Sequence, residues 1–159
     1  MSLGEPIRLS LEQEGDYAFR VSFHERALAP LLTDEAPPLG DGRGPSPALL
    51  LLTSIANCLA ASLLFALRKY RNTPGVLRAE VVATPIRNAE GRWRIPSATV
   101  ELQLADGGEA YTQLERILEQ FEQFCVVTQS VRDGIDVAVN VRDAHGRVLH
   151  GDKSFEAGA

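Results

Sequence analysis

Two cysteines are the residues in this sequence whose chemistry is most versatile. Cys58 and Cys125 lie far apart along the chain, and no Cys-x-x-Cys motif is present. A thiolate can act as a nucleophile, a redox centre or a metal ligand, whereas a buried thiol is often only a small hydrophobic residue of the core. The residues alone leave both interpretations open: two inert core side chains, or a pair of thiols that are oxidised together.

Other kinds of reactive site find little support in the sequence. The three histidines, His24, His145 and His150, are too scattered for a metal site, and the last two lie in a polar stretch where we expect them to be solvated. The glycine-rich segment 40–44 lacks the spacing of a phosphate-binding loop and does not follow a predicted strand. No serine has the sequence context of a nucleophile elbow. Any chemistry therefore falls to the cysteines.

Cys58 lies in the middle of an apolar stretch, residues 44–67, which reads GPSPALLLLTSIANCLAASLLFAL. Ser46 is a good helix N-cap, and Pro47 suits the first helical position, where its missing N–H costs nothing. Because every face of this helix is apolar or small, we expect it to be buried on all sides. It is long enough to span a bilayer, but polar residues such as Asn57 interrupt it, so we expect a core helix.

Cys125 follows a second predicted helix. Residues 111–124 carry apolar side chains at helical spacing and charged ones opposite, which predicts an amphipathic helix with one buried face. Cys125 comes four residues after Phe121 and would extend that apolar face. Residues 126–131 could add a short helical turn.

Alternating apolar and polar residues predict the strands around these helices. The candidates are Ile7–Glu12 with Tyr17–Phe23 as a hairpin, Val76–Ile86 with Arg92–Leu104 as a second pair, and Ile135–Val141. Residues 30–47, rich in proline, form a predicted connecting loop. This order of elements predicts an α+β fold in which antiparallel sheets pack against helices.

Length and charge limit the class of protein. The 159 residues predict a single domain over positions 1–159, with a polar tail after Gly151. The formal net charge of −5 comes without a Lys/Arg stripe, so we expect neither nucleic acid nor an anionic membrane as a partner. The amino terminus does not read as a signal peptide, which favours the cytoplasm. In that reducing compartment a structural disulfide is not expected.

Two sequence blocks together resemble the OsmC/Ohr family of thiol peroxidases. The first is Gly44-Pro45-Ser46-Pro47 opening an apolar helix, with Cys58 eleven residues after the second proline, and it is preceded by the lead-in 34–40. The second is Phe124-Cys125-Val126-Val127 after a helix, followed by a turn and the strand that begins at Ile135. The resemblance covers roughly residues 5–143.

The resemblance implies an intertwined homodimer in which antiparallel sheets pack on two central helices. It implies that Cys58 is the peroxidatic cysteine, which reduces organic hydroperoxides or hydrogen peroxide, and that Cys125 is the resolving cysteine. A dithiol, a lipoylated protein or a thioredoxin-like partner would then reduce the disulfide. No metal, flavin or haem is required for this chemistry.

The chain departs from the family pattern at the groups that activate the thiol. In the better-known branches an arginine from the first hairpin turn stabilises the thiolate. A glutamate one or two residues after the helix-opening proline pairs with that arginine and positions it. Here Ala48 and Leu49 occupy the glutamate positions, and the first turn, residues 13–16, has no arginine. A thiol inside an apolar helix has a raised pKa, so Cys58 needs a cation nearby.

Three arginines are candidates for that cation. Arg43 is the first choice because its loop enters the helix, and Arg20 and Arg26 are alternatives, although the sequence favours an ordinary solvated arginine at each of these positions. Two other functions stay open on the same grounds. The chain could be a non-catalytic binding protein with the family fold, or a redox sensor whose disulfide changes a partner contact.

Overall fold

The computed structural model describes residues 6–24, 27–134 and 136–151. The chain forms two compact units, residues 1–51 and 52–159, and each is described by itself. The α+β class expected from the sequence is confirmed by the order of helices and strands.

The first unit contains a three-stranded antiparallel sheet. Its strands, in the order β1-β2-β3, are β1 (Leu9–Gly15), β2 (Ala18–Phe23) and β3 (Leu31–Thr33). The predicted hairpin is confirmed, with Leu11 opposite Val21 in the register. β3 lies inside the segment that the prolines predicted to be loop only, because a three-residue strand is too short to show alternation. β1 is exposed along its whole length.

The loop that leads from β3 to the long helix is organised by Asp34. Its buried carboxylate accepts hydrogen bonds from the backbone N–H groups of Glu35, Asp41 and Arg43, at 2.8, 3.2 and 3.1 Å. The hydrogen bond from Arg43 contributes most to lowering the pKa of Asp34. One buried carboxylate thus fixes the backbone of the loop.

Helix α1 (Pro47–Lys69) begins at the predicted residue, and the Ser46 hydroxyl accepts from the Leu49 N–H at 3.4 Å. The expectation that α1 is buried on all sides is wrong within one chain. Its buried residues lie on one face, whereas Leu49 and Phe65 are 57% and 55% exposed. A single chain of this size supplies cover for only one face of so apolar a helix. By length and composition α1 could also cross a membrane, a test that the core helix of a soluble protein passes equally.

The second unit is built on a four-stranded sheet and a two-stranded ribbon. The sheet, in the order β4-β7-β8-β9, contains β4 (Arg78–Val82), β7 (Ser97–Gln103), β8 (Asp136–Arg142) and β9 (Val148–Gly151), and the ribbon pairs β5 (Ile86–Arg87) with β6 (Trp93–Arg94). β4 pairs with β7, and β8 with β9, in antiparallel fashion. β7 and β8 are parallel, which corrects the all-antiparallel expectation. Parallel neighbours need a long crossover connection, and the helical segment between them supplies it.

That crossover carries the second cysteine. It consists of helix α2 (Leu114–Gln120), a 3₁₀ helix (Phe121–Phe124) and helix α3 (Val126–Val131). The predicted helix over residues 111–124 is therefore shorter than expected and ends in a 3₁₀ turn, while the short helical turn at 126–131 is confirmed. The side chains of Ile117, Leu118 and Phe121 are buried, as their spacing predicts.

Candidate functional site

The two cysteines lie next to each other in the second unit. Cys58, on α1, is half-buried, Cys125, between the 3₁₀ helix and α3, is fully buried, and both are free thiols. Their side chains are within hydrogen-bonding reach. Sequence spacing could not determine whether the thiols meet, and the structure brings them together.

Cys125 has a conformation that the sequence did not predict. Its backbone is extended, with φ −85° and ψ 95°, so the residue interrupts the helical segment and serves as the N-cap of α3. Its sulfur accepts from the Thr128 N–H at 3.4 Å and lies 2.8 Å from Thr128 Oγ1. The expectation that Cys125 extends the apolar face of α2 is therefore wrong, because the helix ends before it.

Two sets of contacts connect the helix of Cys58 to the segment of Cys125. Asn72, just after α1, donates from Nδ2 to the carbonyls of Leu67 and Thr112, at 3.3 and 3.1 Å, and accepts from the Thr112 N–H at 2.8 Å. The rings of Phe65 and Phe124 meet edge to face, with centroids 5.6 Å apart. Phe65 lies two turns after Cys58 and Phe124 precedes Cys125, so these contacts hold the thiols in register.

The environment of Cys125 disfavours its ionisation. Burial raises the pKa of the Cys125 thiol, the hydrogen bond with Cys58 raises it further, and the contacts with Thr128 oppose both effects. Two thiolates in contact repel each other, so the pair carries at most one negative charge. The raised pKa keeps the buried Cys125 thiol protonated, so that it can donate its S–H to Cys58.

The candidate arginines lie in the first unit, on a carboxylate that the sequence did not single out. Arg20 forms an ion pair with Glu14, and Arg43 Nη2 lies 3.9 Å from the same carboxylate. Both side chains are about half exposed. Arg26 lies outside the described residues. The assignment of any of these arginines as the activator of Cys58 stays a prediction.

A polar cluster that the sequence did not predict lies beside the cysteine segment. Glu122 pairs with Arg132, and His150 Nε2 lies 2.8 Å from Glu122 Oε1. The His150 ring also packs edge to face on Phe121 at 5.5 Å, so the expectation that His150 is solvated is wrong; His145, with 65% of its side chain exposed, is solvated as expected. Burial disfavours the charge of Glu122, but the hydrogen bonds from His150 and Arg132 outweigh it and lower the pKa of this carboxyl.

β9 has only four residues, Val148–Gly151, too few for an alternating pattern to indicate that His150 is partly buried. Glu122 and Arg132 lie ten residues apart on either side of Cys125, and nothing in a linear pattern pairs them. The cluster is also connected to Cys125 through the backbone, because the Cys125 N–H donates to the Glu122 carbonyl at 3.1 Å.

Two surface cavities lie away from the thiols. One of about 570 Å³ covers the face of β4, β7 and β8 and is lined mainly by charged and polar side chains, and one of about 300 Å³ lies beside α2 and β9. Neither cavity is lined by a cysteine, so the contact between the thiols lies outside both. Within the described ranges, no three His, Cys, Asp or Glu side chains are grouped closely enough to hold a metal ion.

Comparison with known proteins gives a consistent result. The family described as OsmC-like protein matches residues 40–140, well over half of the chain. No curated protein matches the chain.

Among solved structures, the chain is similar to the OsmC-like protein from Mycoplasma pneumoniae, with TM-score 0.73 and 14% identity over 90% of this chain and 100% of that one. It is also similar to the organic hydroperoxide resistance protein OhrB of Bacillus subtilis, with TM-score 0.63 and 15% identity over 86% of this chain and 98% of that one. The organic hydroperoxide resistance protein OsmC from Legionella pneumophila gives TM-score 0.66 and 12% identity over 89% and 99% of the two chains. At such low identities these likenesses show the fold.

Proposed function

Because the chain belongs to the OsmC-like protein family, we propose that it is a thiol-dependent peroxide reductase in which Cys58 is the peroxidatic and Cys125 the resolving cysteine. The observation that carries the proposal is the contact between a half-buried and a fully buried free thiol. Two of the structural relatives are named as organic hydroperoxide resistance proteins, which supports peroxide as the class of substrate.

The first step oxidises Cys58. Its thiolate attacks the distal oxygen of an organic hydroperoxide or of hydrogen peroxide, an S–O bond forms and the O–O bond breaks. The departing alkoxide or hydroxide takes a proton and leaves as alcohol or water, and Cys58 becomes a sulfenic acid. The half-buried position of Cys58 suits this step, since the peroxide must reach the sulfur from solvent.

The second step forms the disulfide. The Cys125 thiolate attacks the sulfenic sulfur, an S–S bond forms, and the hydroxyl of the sulfenic acid leaves as water after taking a proton. Cys125 needs no access to solvent for this reaction, which is consistent with its burial. A dithiol, such as a lipoylated protein or a thioredoxin-like partner, then supplies the two electrons that restore both thiols.

The proposal requires that Cys58 is ionised in the resting protein. The first turn of α1 contains no acidic residue that could hold an activating arginine in the usual family position. The S–H group of Cys125 provides one stabilising hydrogen bond to a Cys58 thiolate. Both thiols are free and the cycle needs a supply of reductant, so we place the reaction in the cytoplasm.

We further propose that the protein acts as a homodimer. Large apolar side chains are exposed on α1, at Leu49 and Phe65, and along β1, at Leu9 and Leu11. Exposed apolar side chains in this number favour an interaction site. A second copy of the chain would bury the apolar side chains of α1 that are exposed within one chain.

Single-turnover kinetics of the reduced protein test the peroxidase proposal. We expect wild type and Cys125→Ser to consume one equivalent of peroxide, and Cys58→Ser to consume none at a comparable rate. Consumption by Cys58→Ser as fast as by wild type would overturn the assignment. Cys125→Ser should accumulate a sulfenic acid, detected by its dimedone adduct in mass spectrometry.

A redox sensor is the second candidate, because Ala48 and Leu49 stand where the carboxylate of the active branches is expected. A sensor would form the Cys58–Cys125 disulfide once and keep it until a partner is released. Steady-state consumption of peroxide with excess dihydrolipoamide separates the two functions: many turnovers indicate the reductase, and a single turnover indicates the sensor.

A further inference from the structure

We propose that Thr128 is the positioning residue for the resolving thiol: its hydroxyl and its backbone N–H hold the Cys125 sulfur and stabilise the thiolate that attacks oxidised Cys58. The inference rests on the proposed function for its place in the reaction cycle. Its structural basis, two hydrogen bonds converging on one sulfur, is independent of the identity of the oxidant.

Thr128 is the third residue of α3, from which the backbone N–H reaches the Cys125 N-cap and the hydroxyl adds a second contact with the same sulfur. Thr128 Oγ1 lies 2.8 Å from Cys125 Sγ, the Thr128 N–H lies 3.4 Å from it, and both side chains are 0% exposed. Farther into a helix, a hydroxyl can instead bond the carbonyl four residues earlier. Ser130, on the same helix, does so, with Oγ donating to the Val126 carbonyl at 2.7 Å.

A buried thiolate needs such donors because water cannot solvate it. The Thr128 N–H can only donate, and the hydroxyl can rotate to donate when the sulfur becomes negative. The sulfur therefore has two donors at the moment at which it must act as a nucleophile. A valine or an alanine at this position would leave it with the N–H alone.

The contact with Cys58 makes this activation depend on the stage of the cycle. While Cys58 is a thiolate, its charge disfavours ionisation of Cys125 and draws the Cys125 S–H toward itself. Once peroxide has converted Cys58 to a neutral sulfenic acid, that repulsion is gone and the bonds from Thr128 remain. Cys125 then ionises, attacks the Cys58 sulfur and releases water. Thr128 thus acts on the second step and leaves the first step unaffected.

The expected size of the effect follows from the hydrogen bond. Losing one hydrogen bond to a charged sulfur lowers the thiolate fraction of Cys125 by about tenfold or more. The more basic thiolate that remains is about threefold more nucleophilic for each tenfold loss, because the Brønsted coefficient of such attacks is about 0.4–0.5. At neutral pH we expect Thr128→Val to slow disulfide formation about three- to tenfold.

Rapid-quench experiments measure this directly. Reduced protein is mixed with one equivalent of tert-butyl hydroperoxide, quenched with acid, and the sulfenic acid and the disulfide are quantified by mass spectrometry between pH 6 and 9. In Thr128→Val we expect an unchanged rate of peroxide consumption, a longer-lived sulfenic acid and a midpoint of the pH–rate profile at higher pH. A disulfide that forms at the wild-type rate with the wild-type pH profile overturns the inference.

Two further comparisons separate the hydroxyl from packing. Thr128→Ser and Thr128→Ala both lack the methyl group and differ only in the hydroxyl, so we expect the serine variant to retain the wild-type pH profile and the alanine variant to behave like valine. Equal slowing in both variants would assign the effect to packing and overturn the inference. Ser130→Ala removes a hydroxyl from the same helix without touching the sulfur, and it should leave both steps unchanged.

Oxidation by diamide distinguishes failure of this inference from failure of the proposed function. Diamide adds to the Cys58 thiolate to form an S–N bond, and attack by Cys125 breaks that bond, forms the disulfide and releases the reduced hydrazine. If wild type fails to reduce peroxide but Thr128→Val still slows the diamide reaction and Thr128→Ser does not, the peroxidase proposal falls and the role of Thr128 stands. Equal rates for all Thr128 variants with diamide refute that role.

Discussion

Asn72 provides the sharpest test of how the fold aligns the two thiols. Its side chain is buried and makes four hydrogen bonds: Nδ2 donates to the carbonyls of Leu67 and Thr112, and Oδ1 accepts from the N–H and the hydroxyl of Thr112, the last at 3.2 Å. Asn72→Ala removes all four bonds, and the Thr112 N–H and carbonyl lose this partner, whereas the Leu67 carbonyl still accepts from the Asn72 N–H at 3.1 Å.

The cost of this change is calculated from the bonds that are lost. Each hydrogen bond contributes about 0.5–1.5 kcal/mol net, and groups left unsatisfied in a buried place add to the loss. The bond to the Leu67 carbonyl, at 3.3 Å, contributes least because that carbonyl has a second donor. Together the four bonds give a destabilisation of about 2–4 kcal/mol. For a chain of 159 residues, this corresponds to a fall in melting temperature of about 5–15 °C.

Urea denaturation of the reduced protein, followed by circular dichroism at a fixed protein concentration, measures the loss. Asn72→Asp is the matched variant: it keeps the acceptor for the Thr112 N–H but places a carboxylate oxygen against the carbonyls of Leu67 and Thr112, so we expect a loss at least as large as that of Asn72→Ala. Asn88→Ala is the control, because Asn88 also makes two side-chain hydrogen bonds but lies on an exposed turn. A loss for Asn72→Ala no larger than that for Asn88→Ala would refute the reasoning.

Three further predictions concern the end of α1, the polar cluster and the exposed helix face. Arg71 ends α1 with a left-handed φ of 62°, so Arg71→Gly should stabilise the protein by about 0.5–1 kcal/mol in thermal unfolding; destabilisation would contradict the capping role. The lowered pKa of Glu122 means that its contribution to stability is complete above its ordinary value of 4.5 and is lost as the pH falls through the lower value in the folded state. Glu122→Gln should flatten the acid limb of a stability–pH curve, and a curve parallel to wild type would disprove the linkage. Leu49→Glu should convert the proposed homodimer to monomers in light scattering, and an unchanged mass excludes Leu49 from the interface.

The sequence was a good guide wherever a local pattern has a local cause. Ser46 and Pro47 predicted the start of α1 because capping depends on a few neighbouring residues, and alternation predicted the first hairpin for the same reason. β3 and β9 were missed because strands of three and four residues are too short to show a period. The parallel pairing of β7 with β8 depends on a crossover, which no alternation pattern encodes.

The loop motif that suggested the family has a physical explanation in the structure. A Cβ at Gly40 would lie 2.3 Å from Asp34 Oδ1, and a Cβ at Gly44 would lie 2.1 Å from the Leu32 carbonyl oxygen. Neither position can accept a side chain while Asp34 holds the loop. These glycines were recognised in the sequence as parts of a pattern, and the reason for them became visible only with the hydrogen bonds of Asp34.

The candidate site was predictable in its residues but not in its geometry. Cys58 and Cys125 were identified from their flanking motifs, whereas their contact depends on how α1 and the crossover pack. The extended backbone of Cys125 could not be inferred either, since Phe124 and Val126 on both sides of it continue an apolar pattern that is compatible with one helix. Thr128 carried no signal at all, because its role is defined only by the sulfur that it contacts.

In the proposed reaction, burial determines which thiol reacts first. Burial raises the pKa of Cys125 and so disfavours its negative charge, whereas half-buried Cys58 is open to solvent and to peroxide. On this proposal Cys125 becomes the nucleophile only after peroxide has oxidised Cys58, and the donors on Thr128 are in place for that moment. The order of the two proposed steps therefore follows from the unequal exposure of the two sulfurs.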